Sequence, residues 1–159
     1  MTEKTYITKS GFDRAQEELR RLKTVERPSI SEAISAAREL GDLKENAEYH
    51  AAREKQSFVE GRIIELEGII STAEVIDPAS VSGDTVKFGA RVTLYDEESD
   101  KEVTYRIVGE YEADIEKGLI SIKSPVARAL IGKKAEDEAV VETPRGFRTY
   151  EIISVAYSA

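Results

Sequence analysis

Apolar residues between Gly11 and about Ala73 recur every three or four positions, the spacing of one helix face. Phe12, Ala15, Leu19 and Leu22 make one stripe, and Ile30, Ala33, Ile34, Ala37 and Leu40 make a second beyond Pro28. Val59, Ile63, Leu66, Ile70 and Ala73 alternate by four and three, as in a coiled-coil seam. Ser10 is the expected N-cap of the first helix, with Asp13 placing an acid in its first turn. Pro28 should kink or briefly break the pattern near Arg27, and Gly41 suits the residue that ends a helix. A second helix is then expected from about Leu43 to Thr72. Each arm would be roughly 45 Å long at about 1.5 Å per residue, so the pattern predicts a slender antiparallel hairpin.

After Asp77 and Pro78 the period changes. Short runs rich in Val, Ile, Thr and Tyr, at 91–95, 102–108, 119–122, 139–142 and 150–155, alternate with Gly, Pro, Asp and Ser breaks. They predict a small antiparallel sheet. One helical interruption is expected, with Ser124 as N-cap, Pro125 at the first helical position and Gly132 as the stop. The class is therefore α+β, with residues 1–77 a helical hairpin and 78–159 a β-rich domain.

Composition narrows the chemistry. The 159 residues carry a net charge of −8, with no apolar run long enough to span a bilayer, so a soluble cytoplasmic protein with no membrane partner is expected. The acidic balance speaks against a general nucleic-acid coat, since phosphate affinity comes from clustered Lys and Arg. With no cysteine and the single His50, thiolate and histidine metal sites are excluded in practice. Chemistry here must use carboxylates, hydroxyls, Lys or Arg.

Asp42 and Glu45 stand at the expected turning point between the two arms. An Asp three residues before a Glu at a helix start can be a capping box, the Asp accepting from the Glu amide and the Glu reaching back. Capping does not explain why the turn is held so far from any core. Two carboxylates on an exposed turn are too few for the roughly six oxygen ligands of Mg²⁺. They can, however, complete a site that another macromolecule half supplies.

The segment EAISAARELGDLKENAEYHAAREKQSFVEGRI, residues 32–63, resembles the tip of the bacterial Gre transcript-cleavage factors, in particular the GreA branch. TYRIVGEYEAD at 104–114 and LISIKSPVARALIGK at 119–133 resemble that family's C-terminal domain, and the likeness spans nearly the whole chain. It implies an FKBP-like second domain that binds bacterial RNA polymerase, and a coiled coil that enters the polymerase's secondary channel. It further implies stimulation of the polymerase's own Mg²⁺-dependent cleavage at the 3′ end of backtracked RNA, by a monomer that is not itself a nuclease. Asp42 would help hold a Mg²⁺ kept mainly by the polymerase, and Glu45 would position or activate the attacking water. Ser124 and Pro125 would lie near the polymerase-binding surface.

Arg38 and Arg53, one before the tip and one after it, can form a basic patch that meets RNA phosphate, or can be solvated charges paired with nearby acids. Lys44, Asn46 and Tyr49 belong to the matching tip motif and either shape the turn or touch polymerase; His50 reads as a surface or packing residue. Two other classes remain open: a polymerase-binding adaptor in which the acids only cap, and a stand-alone prolyl isomerase. The second wants a concave aromatic pocket, and this chain has few aromatics and no Trp.

Overall fold

The computed structural model describes residues 4–158, which form two compact units. Residues 13–72 make one, and residues 4–12 with 73–158 make the other. The compact units do not divide at residue 77: the chain leaves the hairpin after Thr72, and residues 4–12 belong with the sheet-bearing unit. Backbone hydrogen bonding is the cause. Strand β1 (Thr5–Thr8) pairs in parallel with β2 (Ala73–Ile76), in register from Thr5 with Ala73 to Thr8 with Ile76.

Helix α1 (Lys9–Arg21) starts directly after β1. Its cap is Thr8, whose hydroxyl accepts the Gly11 amide at 3.2 Å, and not Ser10. A buried acid, Glu112, fastens this start. Its carboxylate accepts the Thr8 amide at 3.0 Å, the Gly109 amide at 2.9 Å and the Thr8 hydroxyl. Gly11 must lack a side chain here, since a Cβ would collide with the buried Glu112 carboxylate.

Within the hairpin unit, α1 passes through one wide π-helical turn (Leu22–Glu26) into α2 (Arg27–Arg38). The Arg27 amide reaches back five residues to the Leu22 carbonyl. Proline's ring collides with the carbonyl four residues earlier in a regular helix; a wider turn relieves that collision at Pro28 without ending the helix. The break expected near Arg27 is therefore a π turn.

The second arm, α3 (Ala47–Thr72), packs its buried Val59 and Ile63 against Ile30 and Ile34. Leu66, Ala37 and Ala15 are also buried, while Ala33 and Leu40, expected in the stripe, are exposed. Ion pairs such as Arg27–Glu60 at 2.7 Å and, farther from the tip, Lys23–Glu67 at 3.2 Å run antiparallel along the arms.

In the other unit, a five-stranded sheet has the order β5-β4-β3-β7-β6, with β3 Arg91–Asp96, β4 Lys101–Val108, β5 Leu119–Ser121, β6 Glu138–Thr143 and β7 Gly146–Ala156. The sheet is mixed, because β5 pairs in parallel with β4, whereas every other pair is antiparallel. Val92, Leu94, Ile107, Ile120, Val141 and Ile152 line one core with Ala127 and Leu130 of α4 (Pro125–Leu130). Among the described residues, no helix is long and apolar enough to cross a membrane.

Candidate functional site at the hairpin tip

Residues 39–46 join α2 to α3, and the side chains from Glu39 to Glu45 are all exposed. Gly41 has φ +113°, a conformation that a side chain would strain, and it lets the chain leave α2 and reverse. The second arm begins at Ala47, not at Leu43. Asn46 is its cap: Oδ1 accepts the Tyr49 amide at 3.0 Å. Asn stands among the best N-cap residues, so Asn46 before a strong helix-forming run was the available signal.

That assignment displaces the expected capping box. Asp42 Oδ1 accepts the Lys44 amide at 2.9 Å, a turn two residues long, and does not cap Glu45. The Glu45 carboxylate has no hydrogen bond or ion pair among the described residues. Both acids line one open depression of about 380 Å³, together with Leu40, Asn46, Ala47 and Glu48.

The neighbouring side chains form a small stack. The Arg38 guanidinium lies over the Tyr49 ring, 6.0 Å from its centre, and the His50 ring meets Tyr49 edge-on at 5.7 Å. His50 Nε2 is 3.1 Å from the Lys44 carbonyl, so this nitrogen must carry the proton if it bonds there. Tyr49 is half-buried against the hairpin core, which accounts for its place without any partner. Arg53 lies one turn beyond Tyr49 on α3 and is exposed. Neither Arg38 nor Arg53 makes an ion pair among the described residues, so the intrahelical pairing considered for them does not form.

Chemically, the tip is a donor set with spare acceptors. Two carboxylates retain most of their lone pairs, and two arginines retain most of their donors. Among the described residues no group of three His, Cys, Asp or Glu side chains could hold a metal ion. Asp42 and Glu45 therefore fit a hard cation only as part of a shared coordination shell.

Away from the tip, Ser124 and Pro125 stand as expected at the start of α4, with the Ser124 hydroxyl accepting the Ala127 amide at 3.3 Å. Gly132 follows with φ +86°.

Comparison with known proteins gives two matches in the same order as the two regions of the chain. The family described as transcription elongation factor, N-terminal, matches residues 5–75, and the family described as transcription elongation factor, GreA/GreB, C-term, matches residues 81–157. The transcription elongation factor GreA of Ruegeria pomeroyi is 63% identical over 156 residues, covering 98% of this chain and 99% of that protein. That of Alkalilimnicola ehrlichii is also 63% identical, with the same coverage. Among solved structures, the crystal structure of GreA factor homolog 1 of Thermus thermophilus is similar, with a TM-score of 0.45 and 26% identity, covering 96% of this chain and 99% of that one. With both regions matched across nearly its full length, the chain belongs to the GreA/GreB family of transcription elongation factors.

Proposed function

We propose that this elongation factor binds RNA polymerase through its sheet-bearing unit, in the region of Ser124 and Pro125. It would insert the hairpin tip into the secondary channel and stimulate the polymerase's own cleavage of backtracked RNA near its 3′ end. The observation that carries this reading is the state of Asp42 and Glu45: both are exposed on the loop between two helices, Asp42 accepts only the Lys44 amide, and the Glu45 carboxylate bonds to none of the described residues. A carboxylate pair that served only the fold would be bonded to it.

Asp42 would contribute an oxygen to a Mg²⁺ held mainly by polymerase ligands, leaving the isolated factor without a tight site of its own. Such an ion, when bound, stabilises charge on the scissile phosphate and makes coordinated water more acidic. Glu45, with its lone pairs free, would orient the attacking water and take up its proton. The water oxygen joins phosphorus, the bond to the upstream 3′ oxygen breaks, and that oxygen takes a proton as a new 3′-hydroxyl. Arg38 and Arg53 would meet the RNA phosphates, with Lys44 at the channel wall. The factor would act as a monomer and supply groups to the polymerase's reaction without being a nuclease alone.

The test uses stalled, backtracked elongation complexes carrying end-labelled RNA and Mg²⁺. The wild-type factor should shorten the RNA, whereas the Asp42→Asn, Glu45→Gln form should bind polymerase and leave the RNA intact. Equal cleavage with and without the wild-type factor would remove the proposal. Equal stimulation by both forms would leave an adaptor whose acids have no chemical part.

A further inference from the structure

We infer that Asn46 is the positioning residue of the tip: its side-chain amide is a clasp that closes the acid-bearing loop, and it does not act by touching RNA or polymerase. This deepens the cleavage reading above and rests on it for its functional consequence, though the clasp itself is a property of the isolated protein.

The geometry is specific. Asn46 Oδ1 accepts the Tyr49 amide at 3.0 Å, and Asn46 Nδ2 donates to the Ala37 carbonyl at 2.5 Å. One planar side chain therefore grips the last turn of α2 with one end and the first turn of α3 with the other. Its backbone is engaged as well: the amide donates to the Leu43 carbonyl at 3.4 Å, and the carbonyl accepts the His50 amide at 3.1 Å. Asn46 is also half-buried, unlike every residue from Arg38 to Glu45.

The loop so closed contains Asp42 and Glu45, and little else ties it down. Besides the Asn46 bonds, it has the Glu39, Leu40 and Gly41 amides bonded back to the end of α2, the Asp42 to Lys44 turn, and the His50 ring at the Lys44 carbonyl. A residue that only caps a helix needs an acceptor and nothing more. Asn, Asp and Ser serve almost equally as N-caps, yet of the three only Asn carries an acceptor and a separate N–H donor on one planar group, so that it can cap α3 and reach the opposite side of the loop at once. Positioning matters steeply in catalysis, because a displacement of about 1 Å can cost about 100-fold in rate.

Two substitutions separate the clasp from the cap. Asn46→Ser and Asn46→Asp both keep an acceptor for the Tyr49 amide; ionised Asp has no donor for the Ala37 carbonyl, and Ser has no second polar atom to stand where Nδ2 does while its Oγ caps. In each variant, backbone amides of residues 39–45 should exchange with solvent faster than in the wild type, while far-ultraviolet circular dichroism stays the same. In the cleavage assay, both should lower the rate at saturating factor by about 10-fold or more and leave the half-saturating factor concentration unchanged. Wild-type exchange across 39–45 in both variants would overturn the clasp whatever the cleavage result. A raised half-saturating concentration with an unchanged maximal rate would overturn it too, in favour of a direct polymerase contact. If the wild-type factor fails to stimulate cleavage, the function proposed above fails, and the exchange measurement still decides the clasp.

Discussion

Glu112 and the tip pair put the same functional group to opposite uses. Glu112 is 5% exposed, and its carboxylate takes three donors, two of them from Thr8, over a hundred residues away in sequence. Asp42 and Glu45 are both exposed; Asp42 accepts one short-range bond, from the Lys44 amide, and the Glu45 carboxylate accepts none among the described residues. Burying a carboxylate is costly unless donors replace its water, and Glu112 meets that condition with backbone amides and a hydroxyl. The tip acids keep their hydration and, with it, their freedom to bind something else. Internal hydrogen-bond satisfaction thus separates a carboxylate that holds the fold from one left for a partner.

The largest effect expected from breaking this contrast is Glu112→Ala. It leaves the Thr8 and Gly109 amides buried without acceptors, and at about 1–3 kcal/mol for each such group the loss should be roughly 3 kcal/mol, read from urea unfolding. Gly11→Ala acts on the same spot by crowding the carboxylate and should cost about 1–3 kcal/mol.

Asp96 is an intermediate case. It is buried, and the Arg148 guanidinium at 2.7 Å, assisted by the Glu98 and Ser99 amides, holds its carboxyl below the usual carboxylate range. A lowered folded-state pKa gives stability that is present above the unfolded value, about 3.9 for Asp, and lost as pH falls through the folded value. The gap in unfolding midpoint between wild type and Asp96→Asn should therefore stay constant from pH 7 to about 4 and close below it. The smallest stability effect belongs to Asp42→Asn with Glu45→Gln, expected within about 0.5 kcal/mol of wild type by the same urea measurement. A large loss there would mean that the tip acids serve the fold after all.

Much of this architecture was legible along the chain because it depends on local periodicity. Val59, Ile63 and Leu66 are buried where the heptad-like spacing put them, and Ser124, Pro125 and Gly132 bound α4 as their cap chemistry requires. The positions of Asp42 and Glu45 between the arms were readable too, since a single Gly-Asp interrupts a long helical run. The local partners were not. A D-x-x-E spacing matches a capping box, but Asn46 competes for the same helix start and wins, leaving Asp42 to the Lys44 amide.

Residue order alone settled the two helical arms, the main strands of the five-stranded sheet and which two acids stand at the reversal. These outcomes follow from side-chain periodicity and turn chemistry acting over a few residues. Folding in three dimensions decided the rest. The β1 to β2 pairing draws residues 5–8 into the sheet-bearing unit, β5 lies parallel to β4, and Glu112 becomes the anchor of a helix that begins at Lys9. Each of these joins groups far apart along the chain. Four-residue strands and a lone glutamate carry no pattern of their own, so only the geometry that brings their partners within hydrogen-bond reach gives them a role.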